Sequence, residues 1–300
     1  MNRTRRLRPS KKPIAFAATV AILALTAALS GCGSSETPAE AVDLTEIAAP
    51  PGIGDIDTIG VLGDSLSLGV NACGEVGRCT AASWASGDDP AVASIATRVA
   101  ALTGTEPEVV NRAKDGGTVA DAIGERSDEV IAAQPDLVLL FLGGNDVCKG
   151  DVASMTSVED FRASYTDLLG RISAGAPDAR VLALSVPDLG HLWQIGHDKI
   201  AATSVWDQSP SCRNLLGDAQ ATDAASVDRR AAVTTRNTEL NAVIDEVCAA
   251  HENCISDAGA VFSYPFSADE ISTVDFFHPS VAGQAAIAEL AWNALAGATQ

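Results

Sequence analysis

Basic residues are scarce in this chain once its first dozen positions are passed. Six of its 20 lysines and arginines stand there, as Arg3, Arg5, Arg6, Arg8, Lys11 and Lys12, leaving 14 against 39 acids and a net charge of about −25 beyond them. Such a surface repels nucleic acid and anionic lipid, so neither is an expected partner. A glycine-rich phosphate loop is also missing, because Gly60, Gly63 and Gly69 fit neither nucleotide fingerprint. No two cysteines stand as C-x-x-C, and Asp64, Asp188 and His191 lack the tight spacing of a ligand set, so neither a metal nor any other cofactor is expected. The longest apolar run, from Ile14 to Leu29, falls short of the roughly 20 residues of a spanning helix. There is no internal repeat.

What is present begins with export. The basic cluster, the apolar run and the small residues Ser30 and Gly31 have the order of a secretory signal. Leu29-Ser30-Gly31-Cys32 resembles the bacterial lipobox, in which the cysteine becomes the lipid-modified first residue after cleavage. The expected organisation is a lipoprotein signal peptide over 1–31, a lipid-anchored flexible tether over 32–55 and a single domain over 56–300. That places the protein outside the cytoplasm, held to the membrane through Cys32; plain secretion is the alternative. The other six cysteines form an even set, which in an exported chain argues for disulfides. Cys73 with Cys79 and Cys248 with Cys254 close short local loops, leaving Cys148 with Cys212.

The first periodic stretch, Ile56 to Gly63, reads as a buried strand that hands over to a turn at Asp64-Ser65. A helix is expected from Asp88-Asp89-Pro90 to Gly104, a strand at Glu108 to Asn111, and a helix from Thr118 to Ala133. The unbroken run Leu137 to Leu142 is the kind that fills a parallel sheet. A helix from Ser157, a strand at Arg180 to Val186, an irregular loop over 188–221, a long helix from Val227 to His251, a strand near Cys254 and a last helix over Val281 to Ala296 complete the pattern. Strands alternating with helices imply a three-layer α/β/α fold around a mainly parallel sheet of five strands.

Three strands end in small polar clusters: Gly63-Asp64-Ser65, Asn111 through Gly117, and Gly143-Gly144-Asn145-Asp146. Loops at the carboxyl ends of parallel strands converge on one crevice. A serine there needs a base, and the base an orienting acid; Asp275-Phe276-Phe277-His278 offers both. Acyl transfer also needs donors for the developing oxyanion, and the N–H groups of Ser65 and Gly116 with the Asn145 amide supply three. Gly117 is the alternative for the glycine. Singly, each residue has a structural reading: Ser65 as a helix cap, Asn145 as a turn residue, His278 as a cap of the last helix, Asp275 as a solvated acid. Their joint order at strand ends carries the catalytic one.

These blocks resemble those of the SGNH hydrolases, also called GDSL esterases and lipases, over the whole stretch from Ile56 to the last helix. The resemblance implies a flavodoxin-like sheet and a serine mechanism with Ser65 as nucleophile, His278 as base, Asp275 as acid, and Ser65, Gly116 and Asn145 as the oxyanion hole. The α/β-hydrolase elbow is a different motif, since it would place glycine where Ser67 stands. Trp84, Trp193 and Trp206 are candidates for an acyl pocket, and Trp292, at helical spacing, for the core. The expected activity is hydrolysis of lipid or short acyl esters. A carbohydrate O-deacetylase shares every catalytic residue, and a non-catalytic binding lipoprotein is the reading from another class.

Overall fold

The computed structural model of the protein describes residues 40–45 and 47–297. The expected signal peptide, Cys32 and the first part of the expected tether lie outside the described residues. In chain order, β1 is Thr58–Gly63, α1 Ile95–Thr103, β2 Glu108–Asn111, α2 Val119–Ala122 and α3 Glu125–Ala132. There follow β3 Leu137–Phe141, α4 Gly144–Val147, α5 Val158–Gly175, β4 Arg180–Ala183, α6 Leu189–Gly196, α7 Ile200–Trp206 and α8 Arg213–Leu216. The chain closes with α9 Ala224–Ala249, β5 Cys254–Ser256, α10 Ala260–Ser263 and α11 Val281–Leu295.

The five strands are all parallel and lie in the order β2-β1-β3-β4-β5. This is the flavodoxin-like order, whose direction of winding reverses between β1 and β3. Successive residues of β3 and β4 face opposite layers. Val138, Leu140, Val181 and Ala183 pack with α5 and α9, while Leu137, Leu139, Phe141 and Leu182 pack with α1 and α11. Both faces are therefore covered, and the strands read as continuous apolar runs rather than alternating ones.

Several expectations are corrected by local chemistry. The tether expected over 32–55 is shorter, since part of that stretch lies on the domain: Val42 N–H donates to Pro90 O, Trp292 Nε1 donates to Ala48 O, and Ile53 is buried. The first helix begins at Ile95, capped by Ser94, because Ala93 takes a left-handed conformation. The expected helix over 118–133 is two, broken at Ile123-Gly124. The stretch 188–221, expected to be irregular, carries α6, α7 and α8. All three expected disulfides are formed.

Candidate active site

The turn after β1 is built by its own side chains. Asp64 caps a 3-10 turn over Ser65–Leu68 by accepting the Leu66 N–H, and Gly69, in the left-handed region, ends it. Ser65 is the first residue of that turn, so its N–H has no acceptor behind it. A Cβ on Gly63 would collide with the Ser67 hydroxyl, so the bend can be reached only with glycine. From α11, Gln284 donates to Leu66 O and accepts the Trp84 N–H, pinning the turn from below.

The far end of the chain meets this turn. His278 Nε2 lies 2.9 Å from Ser65 Oγ, and His278 Nδ1 lies 2.5 Å from Asp275 Oδ2. Ser65 and His278 are 4% and 8% exposed, so their contact is largely shielded from water and electrostatically strong. Asp275 reaches His278 through a tight turn rather than a helix. Phe276 is left-handed, and Asp275 Oδ1 accepts the backbone N–H groups of Phe277 and His278. Trp206 Nε1 donates to Phe276 O, buttressing this turn from α7. Burial pushes the Asp275 carboxyl up, but hydrogen bonds from His278 and Asn71 outweigh it and leave the group below the ordinary aspartate value.

The loops after β2 and β3 complete the rim. Gly116 is left-handed and exposed, its N–H takes no acceptor among the described residues, and a Cβ there would face open space. Gly117 is buried and its N–H is committed to Lys114 O, so of the two glycines Gly116 is the one whose N–H has no acceptor among the described residues. Arg126 holds this loop to the end of β1, donating to Arg112 O and Gly63 O. Asn145 Nδ2 donates to Gly117 O at 3.1 Å and Asp64 Oδ2 at 3.2 Å. Burial drives the Asp64 carboxyl up to about 6, against the Leu66 N–H and His278, which favour its charge. Burial likewise raises Asp146, although it accepts the Val119 N–H and the Thr156 hydroxyl and so ties the β3 loop to α2.

Beside Ser65 a cavity of about 70 Å³ runs between Leu66, Phe141, Val186, Leu192, Ile195, Phe266 and Phe277. None of the three tryptophans expected there lines it. Trp84 is fully buried against Phe141 and donates to Ser67 Oγ. Trp206 is spent on Phe276. Trp193 points around α6 to Ala219 O, with His197 stacked on it and Arg230 over its ring. The reason is helical spacing: Asp188, His191, Leu192 and Ile195 share the face of α6 toward the cavity, and Trp193 lies on another. Trp292 is buried in the core, as expected.

The sequence reading missed Asn71, Arg126 and the apolar residues of α6. Only the last left a signal, the spacing of Leu189, Leu192 and Ile195 in a stretch read as loop.

The sequence model of the GDSL-like lipase/acylhydrolase family matches residues 61–286. Among solved structures, a lipase/acylhydrolase from Enterococcus faecalis superimposes at a TM-score of 0.50 with 21% identity, covering 82% of this chain and 98% of that one. An α/β-hydrolase enzyme from the metagenome of Lake Arreo, Spain, does so at 0.50 with 19% identity, covering 81% and 96%. A comparison with the curated proteins finds no match. With the family match running from β1 into α11, the chain belongs to the GDSL-like lipase/acylhydrolase family, the SGNH hydrolases, and is a carboxylic ester hydrolase.

Proposed function

We propose that the protein is a serine esterase for esters with a short to medium apolar acyl group, working through Ser65, His278 and Asp275. His278 Nε2 takes the Ser65 proton as Oγ attacks the ester carbonyl, and the Asp275 carboxylate holds Nδ1–H and stabilises the imidazolium. The N–H groups of Ser65 and Gly116 and the Asn145 amide receive the oxyanion, Asn145 giving up one of its two long hydrogen bonds. Collapse of the intermediate breaks the C–O bond, and His278 returns the proton to the leaving alcohol. Water then attacks the acyl enzyme by the same route and frees Ser65.

The observation that carries the reading of the substrate is the apolar cavity at Ser65. A methylene moved from water into it is worth ~0.8 kcal/mol, or about fourfold in kcat/KM. An O-deacetylase has no use for that wall. Export and attachment through lipid at Cys32 remain part of the proposal, supported by three disulfides, which persist in oxidising compartments.

The test is hydrolysis of p-nitrophenyl esters from acetyl to palmitoyl, with Ser65→Ala beside the wild type. Expected is a kcat/KM that climbs from acetyl by about fourfold per methylene, peaks when the cavity is full and then falls. A profile that is highest at acetyl would give the protein to the deacetylase reading; undiminished turnover by Ser65→Ala would remove the serine mechanism.

A further inference from the structure

The Asp275 carboxylate has a fourth partner that the catalytic sequence blocks do not contain. Asn71 Nδ2 donates to Asp275 Oδ2 at 2.8 Å, the same oxygen that takes His278 Nδ1. Oδ1 is occupied by two backbone N–H groups. The carboxylate thus accepts four hydrogen bonds, and of the two on the working oxygen, one comes from the base and one from Asn71.

Asn71 is itself fixed at every polar atom. Its Oδ1 accepts the Gly77 N–H at 2.8 Å, so the amide cannot turn over and its donor must face Asp275. The Asn71 N–H donates to Gly77 O at 2.7 Å, and Asn71 O accepts the Ser272 hydroxyl at 2.6 Å. Its φ of 59° is left-handed, a conformation asparagine tolerates better than most residues. The residue is 9% exposed, although it sits at the root of a surface loop. That loop is pinned by the Cys73–Cys79 disulfide, by an antiparallel bridge between Val70 and Arg78 and by Cys79 N–H on Gly69 O. No apolar core fills it: residues 73 to 78 are all exposed. Its shape therefore depends on the cross-link and on the hydrogen bonds of Asn71.

We infer that Asn71 is a positioning residue for the reaction, and that the Cys73–Cys79 loop exists in this fold to present its amide to Asp275. The inference rests on the triad proposed above. Asn71 acts through Asp275: with the second donor on Oδ2, the carboxylate cannot rotate away from Nδ1, and the imidazole stays aimed at Ser65. The titratable groups around this contact are Asp275, His278 and, across the imidazole, Asp64; Glu75 and Arg78 of the same loop face solvent.

The discriminating variant is Asn71→Asp, which keeps the acceptor for Gly77 N–H, and so the loop, but sets a carboxylate against Asp275. Two carboxylates so close cannot both ionise freely, and the added charge favours the protonated enzyme. Expected is a fall in kcat with KM within about twofold, and an acid limb of kcat/KM displaced upward by about one pH unit. Asn71→Ala should lower kcat by roughly tenfold with the same KM. Cys73→Ser with Cys79→Ser should do likewise, and adding Asn71→Ala to that pair should cost nothing more, because both changes remove one contact.

An Asn71→Asp enzyme with the wild-type kcat and acid limb overturns the inference, as do losses that multiply across the combined variants. Ser65→Ala, assayed in parallel, separates the two proposals. If it is inactive while Asn71→Asp behaves as wild type, this inference alone falls; if it turns over normally, the triad falls first.

Discussion

The crevice above β1 and β3 has two walls of opposite chemistry. On one side, Asn71, Asp275, His278 and the Ser65 turn form a continuous chain of hydrogen bonds drawn from segments more than 200 residues apart in sequence. On the other, Leu192 and Ile195 of α6, Val186 after β4 and Phe266 offer the cavity little but carbon. The polar wall is specified by pairs, so losing one partner strands the other and costs the full desolvation of what remains. Shape alone specifies the apolar wall, which tolerates exchange of one aliphatic side chain for another. On the proposed mechanism the first governs the rate of the chemical step and the second the choice of acyl group. Asp64 stands where the walls meet, buried like the second and charged like the first.

The division is breakable. The largest effect is expected from Asn145→Ala, which removes a proposed oxyanion donor and should cost about 10²–10³ in kcat for every ester alike. A loss confined to long acyl groups would place Asn145 with the apolar wall instead.

Asp64→Asn probes the junction through stability. An aspartate whose folded value is raised by burial to about 6 stabilises the fold below its ordinary value near 4, and that contribution is lost as pH rises through about 6. The wild type should therefore lose up to ~3 kcal/mol relative to Asp64→Asn between pH 4 and pH 7. Urea unfolding of both proteins across that range checks it, and a pH-independent difference would mean that Asp64 is not buried as a charge.

The smallest effect belongs to the apolar wall. Leu192→Ala should move the preferred acyl chain to a longer one, changing the ratio of kcat/KM between long and short esters by roughly tenfold. Chain-length profiles of the two proteins decide this; an equal loss on every ester would show that Leu192 holds the catalytic groups rather than the acyl chain.

How far the sequence could carry this account also differs between the walls. The parallel sheet was legible because β1 and β3 are buried on both faces, which leaves unbroken apolar runs. The convergence of Ser65, Asn145, Asp275 and His278 on one crevice was legible because each stands at a strand end or just before the last helix, in short blocks of small and polar residues. What distinguishes Gly116 from Gly117 is the hydrogen bond of Gly117 N–H to Lys114 O, which no sequence pattern marks. Asn71 was illegible: its partner is Asp275, 204 positions away, and nothing local distinguishes it from a turn asparagine. The apolar wall failed for another reason. Aromatic side chains drew attention to Trp84, Trp193 and Trp206, but indoles whose N–H groups are satisfied by Ser67, Ala219 and Phe276 are structural. The plain aliphatic residues of α6, short and unmarked by a strong motif, were the ones facing the cavity.

The most direct test of the account is to treat the protein with ethyl and hexyl fluorophosphonates and to map the adduct by peptide mass, following the rate of labelling. A single adduct on Ser65, absent from Ser65→Ala and His278→Ala and formed faster by the hexyl reagent, is the predicted result, since both walls are then at work on one atom. Continued ester hydrolysis with no adduct on Ser65, or equal labelling after His278→Ala, would contradict it.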